Sequence, residues 1–348
     1  MCIMKQERNI WIDFIRSIAI IIMIIANSAA VIGNKDYSYF FRVICSLAAP
    51  LFVLLSGISF SVSSKYPSTS HSKTRSALYL LLTASCIDLF IWQSPPFYTF
   101  DVLYIIAFGS FLNIFLKHKT LLYFLSFITV SIGLAVYLQV VLPYRFDIQE
   151  ISLQNILQVN IIDYIISSIR YMFVDGWFPI FPWICLPIIG TLIVKYQPIF
   201  QSNKLYVYIF SLITFFVSIY GLSTSSTIVP FRNGYVELFY PASFLIFMLV
   251  CSGALLFFTS TFSYKISNTF INYFSMIGKY SLFIYILHIA IIHFVLDVYF
   301  NSLNALSFSI VMVIFTVSLY VIIAMLELTK ARHIIQRLPF SISKIIGL

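Results

Sequence analysis

The sequence predicts an all-α integral membrane protein, a polytopic bundle of about ten transmembrane helices with both termini in the cytoplasm. Three observations predict it. Of the 348 residues, 61% are hydrophobic and only 9% charged, with a mean hydropathy of +0.98; a soluble domain carries about 45–50% apolar and about 25% charged residues. The apolar runs are continuous rather than alternating, which fits spanning helices and not a barrel. The basic residues sit in short segments between those runs, on alternate sides. The same numbers exclude a disordered chain. The net charge of +9, distributed this way, orients helices and is not a footprint for nucleic acid.

In order, the spans fall at 10–33, 39–62, 77–93, 101–117, 121–142, 176–196, 205–222, 241–260, 280–299 and 305–327. The first opens on Trp11 and holds Asp13 and Arg16 inside the run, which rules against a cleavable leader. The second carries Pro50 within an apolar stretch. The third and fourth are short and joined through Ser94, Pro95 and Pro96, a hairpin that can tilt or re-enter. Residues 147–175 contain Gln154, Asn155, Gln158, Asn160, Asp163 and Arg170 among many Ile, too polar to cross lipid cheaply. They read as an outer amphipathic segment lying at the interface. Trp177, Pro179, Pro182, Trp183 and Pro187 give the sixth span a kinked entry. The tail 330–348, basic and apolar by turns, reads as resting on the inner leaflet. The whole chain, 1–348, reads as a single domain.

Loop charges test this layout. Of 21 Lys and Arg, 15 fall on the side of the N-terminus, 5 on the other (Lys35, Arg42, Arg145, Arg170 and Arg232), and Arg16 lies within a span. Making 147–175 a further span would reverse every later loop and spoil the split. The acidic residues are mostly outer, with Glu7, Asp13 and Glu327 the inner exceptions. Five cysteines at 2, 45, 86, 185 and 251 are scattered, and four lie inside apolar runs, so they read as small buried hydrophobes. No His/Cys cluster with metal-ligand spacing is present, and no metal is expected.

The polar groups inside apolar runs are the candidates for chemistry, because ionisable groups in lipid are costly and need a partner or a wet cavity. Asp13 and Arg16 are three apart on one helix face. Asn27 follows Arg16 by eleven residues, about three turns and about 16 Å further out. Asp88 lies within an apolar run, and Asp101 either binds a ligand or caps the helix it precedes. His288 lies mid-span; His293 lies in the outer half, four residues before Asp297, a spacing at which a carboxylate can fix an imidazole tautomer. Helix packing and interhelical hydrogen bonds account for several of these groups equally well.

An ordered set of segments resembles the heparan-α-glucosaminide N-acetyltransferase-like membrane proteins, relatives of the wider transmembrane acyltransferases. Arg8, Ile12, Asp13, Arg16, Ser17 and Ala19, followed by Met23, Ile24 and Asn27, are similar to the family's opening helix. Pro50-Leu51-Phe52 with Gly57 and Ser59 resembles its second helix, and Asp101-Val102-Leu103 with Ile106-Ala107 its Asp-Ile-Leu helix start. Pro182-Trp183 with Gly190, and Gly278 with Ser281-Leu282, Tyr285 and His288, resemble two later ones. The chain departs from the pattern at Ser17 and Cys185, where the family carries Gly. Asn27 stands where the related acyltransferases place a histidine. Residues 34–41 lack the histidine of the eukaryotic members, leaving Asp36 as the nearest candidate.

The resemblance implies a membrane acyltransferase moving an acyl group, acetyl by expectation, from cytoplasmic acyl-CoA to a sugar, glycolipid or other envelope acceptor on the outer face. A bacterial inner membrane is the expected location. The expected catalytic group is Asn27, Asp88, His288 and His293, with histidine as base, since its unperturbed pKa suits neutral pH. Arg16, Asp13, Lys279 and Arg75 are the expected acyl-CoA contacts, and Asp101, Asp297 and Trp177 the expected acceptor contacts. The competing reading is a carrier of a small amphiphilic solute, in which the same polar stripe lines a pathway.

Overall fold

Lipid offers no partner for a backbone N–H or C=O, so long apolar runs must satisfy those groups internally as helices. A computed structural model describes residues 9–34, 36–64, 70–142, 144, 153, 155, 160–224, 236–239, 243–261 and 269–328. The described residues form fifteen helices. They are α1 Ile10–Ile32, α2 Tyr39–Ser64, α3 Ser70–Phe90, α4 Val102–Leu116, α5 Leu121–Val141, α6 Ile161–Arg170, α7 Ile180–Trp183 and α8 Cys185–Lys195. Then come α9 Gln197–Ser202, α10 Lys204–Thr224, α11 Phe244–Thr261, α12 Thr269–Lys279, α13 Ser281–Ile291, α14 Asp297–Tyr299 and α15 Ala305–Leu328. Among the described residues there is no strand, only an isolated bridge between Gly33 and Leu303.

Seven helical stretches are long and apolar enough to cross a membrane: 10–32, 39–64, 121–141, 161–195, 204–224, 281–299 and 305–327. Residues 102–116 and 244–260 are apolar but shorter. The fold is therefore that of an all-helical integral membrane protein. α5, α10 and α15 expose Leu122, Val140, Phe210, Tyr220, Val313 and Met325, the side chains that lipid would solvate. The interior is built on Trp183, Tyr104, Tyr280, Phe100 and Ile15, all fully buried.

α2 and α8 pack backbone to backbone. A Cβ on Gly57 would lie 1.9 Å from the Pro187 carbonyl oxygen, and one on Gly190 2.2 Å from that of Leu54. Only glycine permits that approach, as in small-residue seams between membrane helices. Asn113 of α4 closes the seam by donating to the Pro187 carbonyl at 3.3 Å.

Contacts sort the helix ends into two faces. At one, Arg16 reaches Ser59 and Gly278, Lys195 reaches the carbonyls that end α4, and Lys279 pairs with Glu327. This is the basic end. At the other, Leu303 donates to Ile32 at 2.7 Å, Arg42 Nε to Val236 at 2.9 Å, and Trp177 to Thr99 at 3.2 Å.

Several expectations need adjusting. The third span begins earlier, at Ser70, so His71, Lys73 and Arg75 lie in its first turns and not in a loop. α12 was expected as loop; its 11 residues are too few to span, but Ile271, Ile277 and Gly278 are buried. The span expected as unbroken over 280–299 contains a π-turn at 292–296. The kinked entry expected for 176–196 is seen as breaks at 176–179 and at Phe181. Of the expected outer segment, α6 exposes Ile161, Ile162, Ile165, Ile166 and Ile169. Residues 147–152 and the tail 330–348 lie outside the described residues.

Candidate functional site

Asp101 begins α4 as its N-cap: one carboxylate oxygen accepts from the Val102 N–H at 2.6 Å. The other accepts from the Tyr285 hydroxyl of α13. Asp101 thus caps α4, and its second carboxylate oxygen is engaged by Tyr285. One turn beyond Tyr285, His288 is fully buried. Its Nδ1 lies 3.1 Å from the Ile284 carbonyl, which only accepts, so Nδ1 carries the proton. Nε2 is then the unprotonated nitrogen, and it lies 3.2 Å from Nδ2 of Asn27 on α1. The Asn27 amide donates to it. Tyr285 sets its ring edge-on to the imidazole at 5.3 Å. Asn27, Asp101, Tyr285 and His288 thus form one cluster joining α1, α4 and α13, buried except for half-buried Asn27.

Asp88 lies apart from it. Its carboxylate accepts from Thr99 Oγ1 at 2.6 Å, Tyr104 OH at 2.6 Å and the Phe97 N–H at 3.1 Å. No hydrogen bond joins it to His288 or His293 among the described residues. It anchors the loop 91–100, in which Gln93, Phe97 and Phe100 have positive φ of 50°, 66° and 48°. Such backbone costs energy and persists only when its surroundings hold it.

His293 and Asp297 do not pair among the described residues. The π-turn adds a residue, so position 298 rather than 297 falls over His293, and Asp297 is exposed. Half-buried His293 instead meets Trp92 at 5.7 Å, and Trp92 meets Trp177 edge-on at 5.1 Å. Trp177 is therefore part of an aromatic group at the end opposite the basic one. Asp36 is exposed at that same end.

Nearby, Glu237 is buried in the segment 236–239 that crosses the N-terminal turns of α2. Burial pushes its carboxyl up to about 7, opposed by backbone N–H groups and the Arg42 charge. Composition offered no signal for this residue.

At the basic end, Arg16 donates to Asp13 at 2.9 Å, to Ser59 Oγ at 2.6 Å and to the Gly278 carbonyl at 3.3 Å. Ser17 Oγ accepts from the Gly278 N–H at 2.8 Å, and a Cβ on Gly278 would lie 1.9 Å from the Asp13 carbonyl oxygen. This is a tight joint between α1, α2 and α12, and it explains why Gly stands at 278. Lys279 is paired with Glu327, which also accepts from Tyr280 OH at 2.7 Å. Arg75 is exposed on α3. The four expected donor contacts are therefore spread over two places, and Arg16 and Lys279 are engaged with protein groups. Among the described residues, no three His, Cys, Asp or Glu gather as a metal site.

Tyr104 is not singled out by the sequence, and Tyr285 and Ser59 stand there only as motif positions with no role of their own. Tyr285 had a signal, since its spacing of three from His288 puts both on one helix face.

No curated protein matches the chain. Residues 8–198, more than half of it, match the model of a known family described as heparan-alpha-glucosaminide N-acetyltransferase, catalytic. The stretch includes Arg16, Asn27, Asp88 and Asp101. With its apolar spans and buried polar cluster, the chain belongs to the heparan-alpha-glucosaminide N-acetyltransferase family of integral membrane proteins.

Proposed function

We propose that the chain transfers an acyl group, acetyl in the first instance, from acyl-CoA at the basic end to a hydroxyl or amine of a sugar or other envelope acceptor at the opposite end. The observation that carries this reading is the His288–Asn27 contact: a neutral imidazole with Nδ1 committed to Ile284 and Nε2 free to exchange its donor. In the reaction, the acceptor O–H or N–H replaces the Asn27 amide at Nε2. His288 takes the proton as the acceptor oxygen or nitrogen bonds to the thioester carbon. The released Asn27 N–H then donates to the carbonyl oxygen as negative charge develops there. Collapse breaks the C–S bond, and the CoA thiolate takes the proton back from His288. Tyr285 and Asp101 hold the turn of α13 that carries the base.

The family match supports an acetyltransferase, and the charge split supports ten spans with the basic end and both termini in the cytoplasm. A bacterial inner membrane and acetyl-CoA without metal belong to the same reading. The test is purified protein with acetyl-CoA labelled on the acetyl group and a panel of amino sugars and glycolipids. Labelled acceptor that depends on His288 supports the reading. Solute flux without any labelled product would replace it with the carrier.

A further inference from the structure

At the basic end, on the side of α2 away from Arg16, lies an open cavity of about 400 Å³ lined in part by Phe60, Ser61, Ser64, Lys117, Thr191 and Lys195. Two lysines, Lys117 and Lys195, line it, and a third, Lys73, meets two of its lining residues. Lys73 donates to Ser64 Oγ and sits 4.4 Å over the Phe60 ring. It is close enough to Lys117 to feel its charge. Lys195 donates to the carbonyls of Lys117 and Lys119, at 2.9 and 2.5 Å, and so crosses the C-terminal end of α4. The ammonium group of half-buried Lys117 has no hydrogen-bond or ion-pair partner among the described residues. None of the described lining residues is a carboxylate. Like charges held together without a counter-charge cost energy that an anion would recover.

From this we infer a binding site for phosphate groups, with Lys73 and Lys117 as the contacts and the Ser61 hydroxyl as a further donor. Phosphate is the fitting anion because it offers several acceptor oxygens to point-charge ammonium groups. The volume is that of a small-molecule pocket rather than a single-ion niche. The phosphates assigned to it are those of the acyl-CoA nucleotide, an identification that rests on the acyltransferase reading; the site itself does not. Thr191, whose hydroxyl donates to the Gly57 carbonyl at 3.1 Å beside the glycine seam, is among the lining residues. The donor phosphates are thereby assigned away from Arg16 and Lys279, which already bind protein groups.

The test uses the full chain in detergent, with Lys73→Gln and Lys117→Gln checked for unchanged melting temperature. Lys195 is left intact because it also ties down α4. Binding is measured for CoA, adenosine 3′,5′-bisphosphate and phosphate-free pantetheine. Each variant should weaken CoA and the bisphosphate by about tenfold, the scale of one charge-assisted hydrogen bond, and leave pantetheine unchanged. Unchanged CoA and bisphosphate affinity in both folded variants overturns the site. The same variants in nanodiscs with and without phosphatidylglycerol separate the other phosphate source. Loss of phosphatidylglycerol binding with nucleotide binding intact overturns the assignment to the donor. Nucleotide binding that responds as expected, with no labelled product from any acceptor, supports the site and removes the acyltransferase reading instead.

Discussion

Nδ2 of Asn27 lies 3.2 Å from Nε2 of His288, across 261 residues of chain. The amide occupies the nitrogen that a base must use. That makes the contact both a restraint on the imidazole and the group an incoming acceptor must displace.

His288→Ala should lower turnover by about 10²–10⁴, the usual worth of a general base, with acyl-CoA affinity unchanged. Asn27→Ala should lower it by less than that and leave the His288 dependence in place. Single-turnover acetyl transfer checks both. Near-normal turnover in His288→Ala would remove the imidazole from the chemistry.

Asp88→Ala deletes one carboxylate that accepts from Thr99, Tyr104 and Phe97. It should cost at least about 3 kcal/mol of stability, since three donors lose their acceptor at about 1–3 kcal/mol each. Asp88→Asn should recover part of that loss. Melting in detergent measures it. A variant that melts normally yet has lost turnover would return Asp88 to the list of bases.

Gly278→Ala forces a Cβ against the Asp13 carbonyl, where backbone meets backbone and neither yields easily. A loss of about 3 kcal/mol or more is expected, at the upper end for overpacking. Arg16→Ala, which removes a partner from the same joint, should lower melting as well while leaving CoA affinity nearly unchanged. A specific fall in CoA affinity with normal melting would mark Arg16 as a donor contact after all.

The Glu237 carboxyl is raised to about 7 when folded, above its ordinary value. The folded state therefore holds a proton that the unfolded chain has already lost above about pH 5. Stability from this group is present below the unfolded value and declines as pH rises towards and through 7. Melting temperature should fall between pH 5 and 8, and Glu237→Gln should flatten that dependence. An equal slope in the variant would assign the pH effect elsewhere.

Hydropathy exposed the long helices because lipid imposes its own length: α1, α2, α5, α10 and α15 begin and end within a few residues of the apolar runs. α12 was hidden because that length does not apply to an 11-residue helix packed beside α1 at the basic end. The π-turn at 292–296 was hidden because its sequence is as apolar as its neighbours, and it is what spoils the His293–Asp297 spacing. Asn27 and His288 were readable as isolated amide and imidazole in apolar runs, but only packing brings them together. Asp88 resisted because two of its partners, Phe97 N–H and Thr99, belong to an irregular loop with no periodicity. Lys117 and Lys195 were read as orienting charges, since a count of cations by side cannot tell which of them face one cavity.

The Gly278 joint has a mechanical consequence. α1 carries Asn27, and α13, which carries His288, follows directly on α12; α1 and α12 are riveted at the basic end, where Gly278 meets Asp13 and Ser17. Asn27 stands fourteen residues above that rivet, roughly 21 Å along the helix. The far end of α1 is pinned as well, by the Leu303 N–H on the Ile32 carbonyl at 2.7 Å. Asn27 therefore lies between two fixed points. In the proposed reaction an acceptor would gain Nε2 by turning the amide side chain aside, and the helix ends could keep their places while it happens.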